Sequence, residues 1–460
     1  MEKIDIKHFY EDAKQYEGKL VKVAGWVKSA RGGKAFGFMD LNDGSCFKGV
    51  QVVFDAEKLE NFDAISKLNT GSSVAVEGTL VLTPEARQPF EIQAKSVEIL
   101  SATDSEYPLQ KKKMTLEFLR DQAYLRPRTN TYSAVFRIRS ECAYAIHKFM
   151  HEEGFTYVHT PIITKSDCEG GSELFRVSTQ NIYEPNSSLN PEDELFGGKV
   201  YLTPTGQLEG EAMAMALGKI YTFGPTFRAE NSNTTRHANE FWMMEPEIAF
   251  CDLDGLMDYE EKMIKYIIKH LLENCKQELE FCNNNIDNGL IERLKLVAGS
   301  EFGRITYTDA IEILKKNNDK FEYKVEWGSD IQTEHERYLS ETVFGKPVFV
   351  THYPKEIKAF YMKQDEDGKT VAAVDCLVPG IGELTGGSQR ETDYDKLLNR
   401  MNELGLKQED YWWYLNLRKY GSVEHSGFGI GFERLVMYVT GMGNIRDVEL
   451  FPRTPNNCEY

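Results

Sequence analysis

Between residue 19 and about residue 100, apolar and polar positions alternate with a period of two in five short runs, "KLVKVAGWV", "AFGFMDL", "KGVQVVF", "SSVAVEGTLVL" and "PFEIQAKSVEIL". Alternation of that kind, interrupted by Gly and Asn/Asp, predicts half-buried antiparallel strands. Five of them, with a helix around "AEKLENFDAISKL" after the third, predict a small closed barrel. Such barrels bind single-stranded nucleic acid or serve as plain structural modules. A polar stretch, "SATDSEYPLQKKKMT", follows the barrel. Beyond about residue 130 long helices alternate with strands, which reads as a separate α+β domain. The expected boundaries are a barrel at 1–102, a linker at 103–130 and an α+β domain at 131–460, with a helical segment at about 253–346.

The larger domain opens on "SAVFRIRSECAYAIHKFMHEEGF", where Val135, Ile138, Cys142, Ile146 and Phe149 recur at helical spacing and Gly154 stands at the expected stop. The strand-like "FTYVHTPIIT" comes next, and its Pro161 implies a sheet edge or a bulge. Further on, the apolar "YTFGPTF" and "WMMEPEIAF" are separated by "RAENSNTTRHANEF", a run with almost no apolar side chain. Most polar runs of this length are solvated hairpin loops. Near the C-terminus, "HSGFGIGFERLVMYVTG" is a glycine-spaced strand running into an apolar helix. Gly427, Gly429 and Gly431, at alternate positions, leave one strand face bare beside Arg434, where a flat ligand can lie or a helix can pack.

Composition narrows the class. The 460 residues suffice for two or three domains, and 41% hydrophobic with 27% charged residues is the balance of a soluble globular protein. No apolar run approaches the roughly 18 residues of a membrane span. The first residues fit neither a signal peptide nor an organellar leader, so a cytoplasmic location is expected. The eight cysteines are scattered without a CxxC pair, which argues against structural zinc and disulfides. A net charge of -18 excludes indiscriminate coating of nucleic acid but leaves room for a local basic groove. Neither DNA nor a membrane is an expected partner.

Taken in order, the helix with its Pro161 strand, "FRAE" with a polar loop and "RHANEF", and "GFGIGFERLV" resemble the three signature motifs of class II aminoacyl-tRNA synthetases. Within that class, "GELTGGSQRE", "EDYWWYLNLRKYGSVEHSGFGIGFERL" and the terminal "RDVELFPRTP" are similar to the bacterial asparaginyl branch, over essentially the whole chain. The resemblance implies an OB-type anticodon-binding barrel, a catalytic domain on an antiparallel sheet flanked by helices, and ATP-dependent activation of L-asparagine followed by transfer to tRNA(Asn). It makes the polar hairpin the nucleotide site.

Arg228 and Glu230 are then the catalytic pair, Arg228 gripping the α-phosphate and the amino-acid carboxylate through its planar fork of donors. Arg236 and His237 would reach the outer phosphates of ATP, although Arg236 also fits a solvated loop position. Phe241 and Arg434 would sandwich the adenine, and Asp375 with Glu383 would hold Mg2+. Glu169, on a mobile loop "EGGSELF", joins Gln207 and Glu245 around the α-ammonium. Arg390 and Glu211 would face the amino-acid side chain, with Glu211 accepting from the amide that asparagine has and aspartate lacks. Orienting Arg390 is the alternative role for Glu211. In the barrel, Arg31, Phe38 and Gln51 would read the anticodon. One of Phe36 and Phe38 is expected to point inward, and the resemblance favours Phe38 as the exposed ring. The family also implies a twofold homodimer through the first motif, with Phe149 and Pro161 in the interface.

Overall fold

The computed structural model describes residues 2–86, 88–110, 112, 114–166, 173–181 and 190–460. Two compact units emerge, Met1–Phe136 and Arg137–Tyr460. Among the described residues no helix is long and apolar enough to cross a membrane.

In the first unit, strands β1 (Leu20–Gly32), β2 (Phe36–Asn42), β3 (Val50–Asp55), β4 (Ser73–Leu82) and β5 (Phe90–Ser101) close into a barrel in the order β1-β2-β3-β5-β4. The period-two pattern dictates which residues fill it. Val21, Val23, Met39, Leu41, Val52 and Phe54 are buried to within 1% and point inward. A short helix, Phe62–Ser66, follows β3 and contributes Phe62 and Ile65 to the same core.

The outer face of β2 differs from the expectation. Phe36 and Phe38 are both exposed, at 52% and 37%, because residues two apart on a strand share a face. The inward positions are Gly37 and Met39, and a Cβ at Gly37 would collide with the Phe54 ring. Arg31 pairs across from Phe38 and lays its guanidinium 5.4 Å from the ring centroid. On the adjoining strand Gln51 donates to Glu91 Oε2 at 3.1 Å. The expected anticodon residues therefore share one outer surface with a second exposed ring, that of Phe36.

Helix α1 (Asn130–Glu152) carries Val135, Ile138, Cys142, Ile146 and Phe149 inward, all at 2% exposure or less. Gly154 follows in the left-handed region, φ 80°, a conformation that glycine adopts at no steric cost. Phe149 packs on the Tyr266 ring at 5.2 Å, so it is a core residue and not an interface residue as expected. Pro161 is exposed and lies outside the two-residue strand β6 (Thr156–Tyr157), which ends the sheet.

The second unit is built on an eight-stranded sheet. Its further strands are β7 (Lys219–Phe227), β8 (Glu240–Ala249), β9 (Gly303–Thr306), β10 (Val348–Pro354), β11 (Thr370–Val378), β12 (Gly382–Gln389) and β13 (His425–Gly431), in the order β9-β10-β11-β12-β13-β8-β7-β6. All neighbouring pairs are antiparallel except β9 with β10 and β6 with β7. The region 253–346 holds helices α3 (Leu253–Asn274), Lys276–Asn285, Leu290–Gly299 and Tyr307–Lys315, but it also supplies the edge strand β9. Behind the sheet, α3 buries Leu256, Met263, Ile264, Ile267 and Leu271, which recur at its period of 3.6. The face of the sheet opposite α3 is where glycines and charges collect.

Candidate active site

The polar run between β7 and β8 is a hairpin loop whose base is closed by backbone. Phe227 pairs with Glu240, Arg228 N donates to Asn239 O at 3.0 Å, and Asn239 Nδ2 donates back to Arg228 O at 2.7 Å and to Glu230 O at 3.0 Å. Asn239 thus latches the loop without using an apolar contact. The loop's side chains overhang a cavity of about 350 Å3 whose lining residues all belong to the second unit. Arg228, Glu230, Arg236, His237 and Phe241 all line it.

Arg228 holds its guanidinium 5.4 Å from the Phe241 centroid, a cation–π arrangement at the cavity wall. Arg236 donates to Thr333 Oγ1 at 2.9 Å, and its burial lowers its pKa. It is therefore half-buried and anchored to Thr333, not a solvated loop residue. His237 is exposed at the rim, with Nδ1 3.2 Å from Ser232 Oγ.

Glycines form the floor. Gly386, Gly387, Gly429 and Gly431 line the cavity, so backbone rather than side chain meets whatever lies there. At one end Arg434 pairs with Glu383 (Nη1–Oε2 3.2 Å) and also donates to the Glu383 carbonyl at 3.2 Å. Asp375 pairs with Lys358 at 2.7 Å. A Cβ placed on Gly386 would lie 3.1 Å from Glu383 Oε1 and 3.3 Å from Asp375 Oδ1, so both carboxylates overlook the same bare patch. Burial pushes the Asp375 carboxyl up, opposed by the Lys358 ammonium. Among the described residues, no three acids, histidines or cysteines converge closely enough to hold a metal by themselves. Two carboxylates over one bare strand suit magnesium, which takes few protein ligands and completes its octahedron with water and phosphate oxygens. Glu336, absent from the sequence reading, accepts from Glu383 N at 3.1 Å, and burial beside Glu383 raises its carboxyl to about 7.

A second group of buried residues in the lining gathers around Glu245 and Arg390. Glu245 accepts from Gly206 N at 2.9 Å and from the hydroxyls of Thr222, at 3.1 Å, and Thr205. Burial pushes its carboxyl up against those three donors. Gln207 lies beside it at the start of helix α2 (Gln207–Leu217), and both residues line the cavity. Arg390, 3% exposed, faces the same space and stacks 5.2 Å from the Tyr361 ring centroid.

Glu211 corrects the favoured reading, that it faces the substrate, while its Oε1, 3.9 Å from Arg390 Nε, fits the alternative of orienting that arginine. It is fully buried and absent from the cavity wall, one helical turn behind Gln207. Its oxygens accept from Gln207 Nε2 (3.1 Å), Tyr414 hydroxyl (2.8 and 2.9 Å) and Arg418 Nη2 (2.8 Å), and His425 Nε2 lies at 2.9 Å. Despite burial, Arg418 and His425 hold its carboxyl well below the usual range. With its acceptor sites filled, it has none to offer a substrate amide. The acid that does face the cavity is Glu247, paired with Arg390 through Nη2–Oε1 and through Nε–Oε2 at 3.2 Å. Burial pushes its carboxyl up, and Arg390 pulls against that. Gly427 is required opposite it, since a Cβ there would collide with the Glu247 carboxylate. The signal was in the sequence: Glu245 and Glu247 are two apart on β8, so if one faces the cavity the other does too. Glu169 lies outside the described residues.

The site therefore offers cations over a glycine floor, a pair of acids at one end, and an acid-lined pocket with a buried arginine at the other. That is what joining a nucleotide to a small zwitterion requires. Comparison with known proteins agrees. Residues 115–455 match the family of class II tRNA synthetases (D, K and N), and residues 21–100 match the OB-fold nucleic acid binding domain. The asparagine–tRNA ligase of Acetivibrio thermocellus is 59% identical over 459 residues, 99% of each chain. That of Alkaliphilus oremlandii is 58% identical over the whole of both chains. The crystal structure of asparaginyl-tRNA synthetase from Pyrococcus horikoshii complexed with asparaginyl-adenylate superposes with a TM-score of 0.88 at 36% identity, covering 100% of this chain and 99% of that one. With an OB barrel preceding a synthetase sheet in sequence and such relatives along its full length, the chain belongs to the class II tRNA synthetases, among their asparagine–tRNA ligases.

Proposed function

We propose that the cavity performs both steps of asparagine–tRNA ligation, with Arg228 as the principal catalytic cation. In the first step a carboxylate oxygen of L-asparagine attacks the α-phosphorus of ATP and pyrophosphate leaves. In the second, a hydroxyl of the terminal adenosine of tRNA(Asn) attacks the activated carbonyl and AMP leaves. Two anions must meet in the first step, and prepositioned cations in a water-poor site lower its barrier most. The observation that supports this reading is that Arg228, with its guanidinium 5.4 Å from the Phe241 ring centroid, lines the same cavity as Asp375, Glu383 and Arg390.

Glu245 and Gln207 take the α-ammonium, and Glu230 stands with Arg228 at the reacting centre. Arg236 and His237 reach the outer phosphates. Phe241 and Arg434 bracket the adenine, which requires Arg434 to exchange its Glu383 partner for the base. Asp375 and Glu383 would hold Mg2+, which supplies neutralising charge on the phosphates. Transfer of labelled asparagine to tRNA(Asn) tests the whole reading, and charging of tRNA(Asp) with aspartate instead would replace it.

Selectivity is assigned to Arg390 with Glu247. Arg390 donates to the side-chain oxygen that asparagine and aspartate share, and Glu247 accepts from the amide that only asparagine has. Aspartate would set an anion against an anion, which costs several kcal/mol in a desolvated site. Glu247→Gln is expected to lower the preference for asparagine over aspartate by at least about tenfold. Burial holds the Glu247 carboxyl above its ordinary value against the pull of Arg390, so in the wild type that preference should sharpen as pH rises and Glu247 ionises, and Glu247→Gln should flatten the profile. An unchanged ratio in the variant removes Glu247 from selectivity.

The barrel face is assigned to the anticodon, with Phe38 stacking on a base, Gln51 hydrogen-bonding and Arg31 contacting phosphate or base. Loss of a stacking ring costs about 1–3 kcal/mol per base. Phe38→Ala should therefore weaken charging of tRNA while leaving pyrophosphate exchange near wild type, because no barrel residue lines the cavity. Equal loss of both activities would contradict that assignment. We also place the protein in the cytoplasm as a twofold homodimer. Tyr157, Ile162, Ile163 and Trp242, exposed around Pro161, form the apolar face for the second copy. Light scattering of the active enzyme checks the dimer.

A further inference from the structure

His352 lies in the left-handed region, φ 58°, where a non-glycine residue stores strain that the surrounding structure must hold. It occupies a bulge, since the β10–β11 register shifts between Thr351 and Tyr353. A bulge re-aims a side chain. Here it aims the imidazole at Asp365, Nδ1 to Oδ2 2.8 Å. Asp365 anchors a tight turn: its N donates to Thr370 O at 3.0 Å, and the same Oδ2 accepts from Thr370 Oγ1 at 2.7 Å.

Between the two partners runs an irregular segment, 355–364, that serves the active site. Lys358 pairs with Asp375, and Tyr361 supports Arg390. The inner side of this segment is sewn to the end of β12, with Lys363 N donating to Gln389 O at 3.0 Å and Glu391 N donating to Tyr361 O at 2.8 Å. On the β11 side Ala372 N donates to Lys363 O at 2.9 Å, and the His352–Asp365 pair ties together the residues that flank the segment.

The other charges around the imidazole are mostly acidic. Asp367 of the turn and Asp254 of α3 act on it directly. The adjoining groove of about 560 Å3 is also lined by Asp252, Asp309, Glu424, Arg304 and Lys363. Arg304 is committed to Asp254 and Asp258, and Lys363 lies 3.7 Å from Glu424.

We propose that His352 and Asp365 are a positioning pair, clamping the Tyr361 segment against Arg390 and so setting the affinity for the amino-acid substrate. The proposal rests on the reading of the Arg390 end as the amino-acid site. The hydrogen bond to Asp365 raises the His352 pKa above its ordinary value, while burial opposes it. The ionic clamp is accordingly complete below about pH 6.5, the unperturbed histidine value, and is lost as pH rises through the raised pKa.

The test is His352→Asn beside Asp365→Asn, in pyrophosphate exchange from about pH 6 to about pH 9. Asparagine tolerates the left-handed backbone, so the first variant removes the charge and keeps the bulge. At the acid end both variants should show a KM for asparagine raised by up to about fivefold, the reach of a half-exposed ion pair. The excess should shrink toward the alkaline end, where the wild type has lost its own cation, with kcat and the asparagine-to-aspartate ratio unchanged. An excess that is the same at every pH, no excess, or a lowered Tm with KM unchanged overturns the pair. A wild type without asparagine-dependent exchange would overturn the amino-acid site itself, and the pair's role with it.

Discussion

Arg228→Ala is expected to lower asparagine-dependent pyrophosphate exchange by at least about 10²-fold, the cost of removing one prepositioned group from the transition state. The effect follows from three features of the structure. Arg228 is at the mouth of the β7–β8 hairpin, where Asn239 latches the backbone on both sides of it. Its guanidinium rides on Phe241, so alanine removes the charge and leaves the platform. Arg236 cannot substitute for it, being tied to Thr333. The loss should fall mainly on kcat, because the charge acts most where the two anions meet. Arg228→Lys should rescue only part of it, since an ammonium lacks the planar fork. Near-normal exchange by Arg228→Ala would move the reaction centre elsewhere.

Glu211→Ala is the second large effect, and it is an effect on stability. The substitution leaves Arg418, fully buried, without its carboxylate, and strips a partner from Tyr414, His425 and Gln207. Breaking one side of a buried ion pair costs about 3–5 kcal/mol. A loss of that size should appear as a marked fall in the thermal midpoint. In Glu211→Gln, which keeps the shape, asparagine and aspartate activation should fall in proportion. The carboxylate also makes this contribution pH-dependent. Its pKa is depressed in the fold, so the stabilisation is present above the ordinary glutamate value of about 4.3 and disappears as pH falls toward the depressed one. A selective change in the asparagine-to-aspartate ratio with unchanged stability would return Glu211 to the substrate pocket.

Glu211 also marks where sequence reasoning stopped. Its position four residues after Gln207 sets the two on one face of α2, where they bond. What a linear reading cannot supply is the arrival of Tyr414, Arg418 and His425, about 200 residues later, to fill every acceptor site. The same limit hid Lys358 and Glu336, which sit in an irregular segment and a five-residue helix and reach Asp375 and Glu383 only through the fold. Features with a period were legible. The barrel strands, the α1 stripe and the glycines of β13 all followed from spacing. Two errors came from misapplying that period: Phe36 and Phe38 share a face, and so do Glu245 and Glu247. Phe149 was legible as part of a helical stripe, yet the stripe faces the core.

The proposed selectivity of Arg390 with Glu247 bears most on the assigned function, because asparagine and aspartate have nearly the same shape. Pyrophosphate exchange measured with asparagine and aspartate in parallel, at fixed ATP, tests it most directly. Exchange with asparagine should exceed that with aspartate by about 10⁴ or more, the discrimination open to a site built around one hydrogen bond. Comparable rates with both, or a preference for aspartate, would contradict the assignment of the Arg390–Glu247 pocket to asparagine.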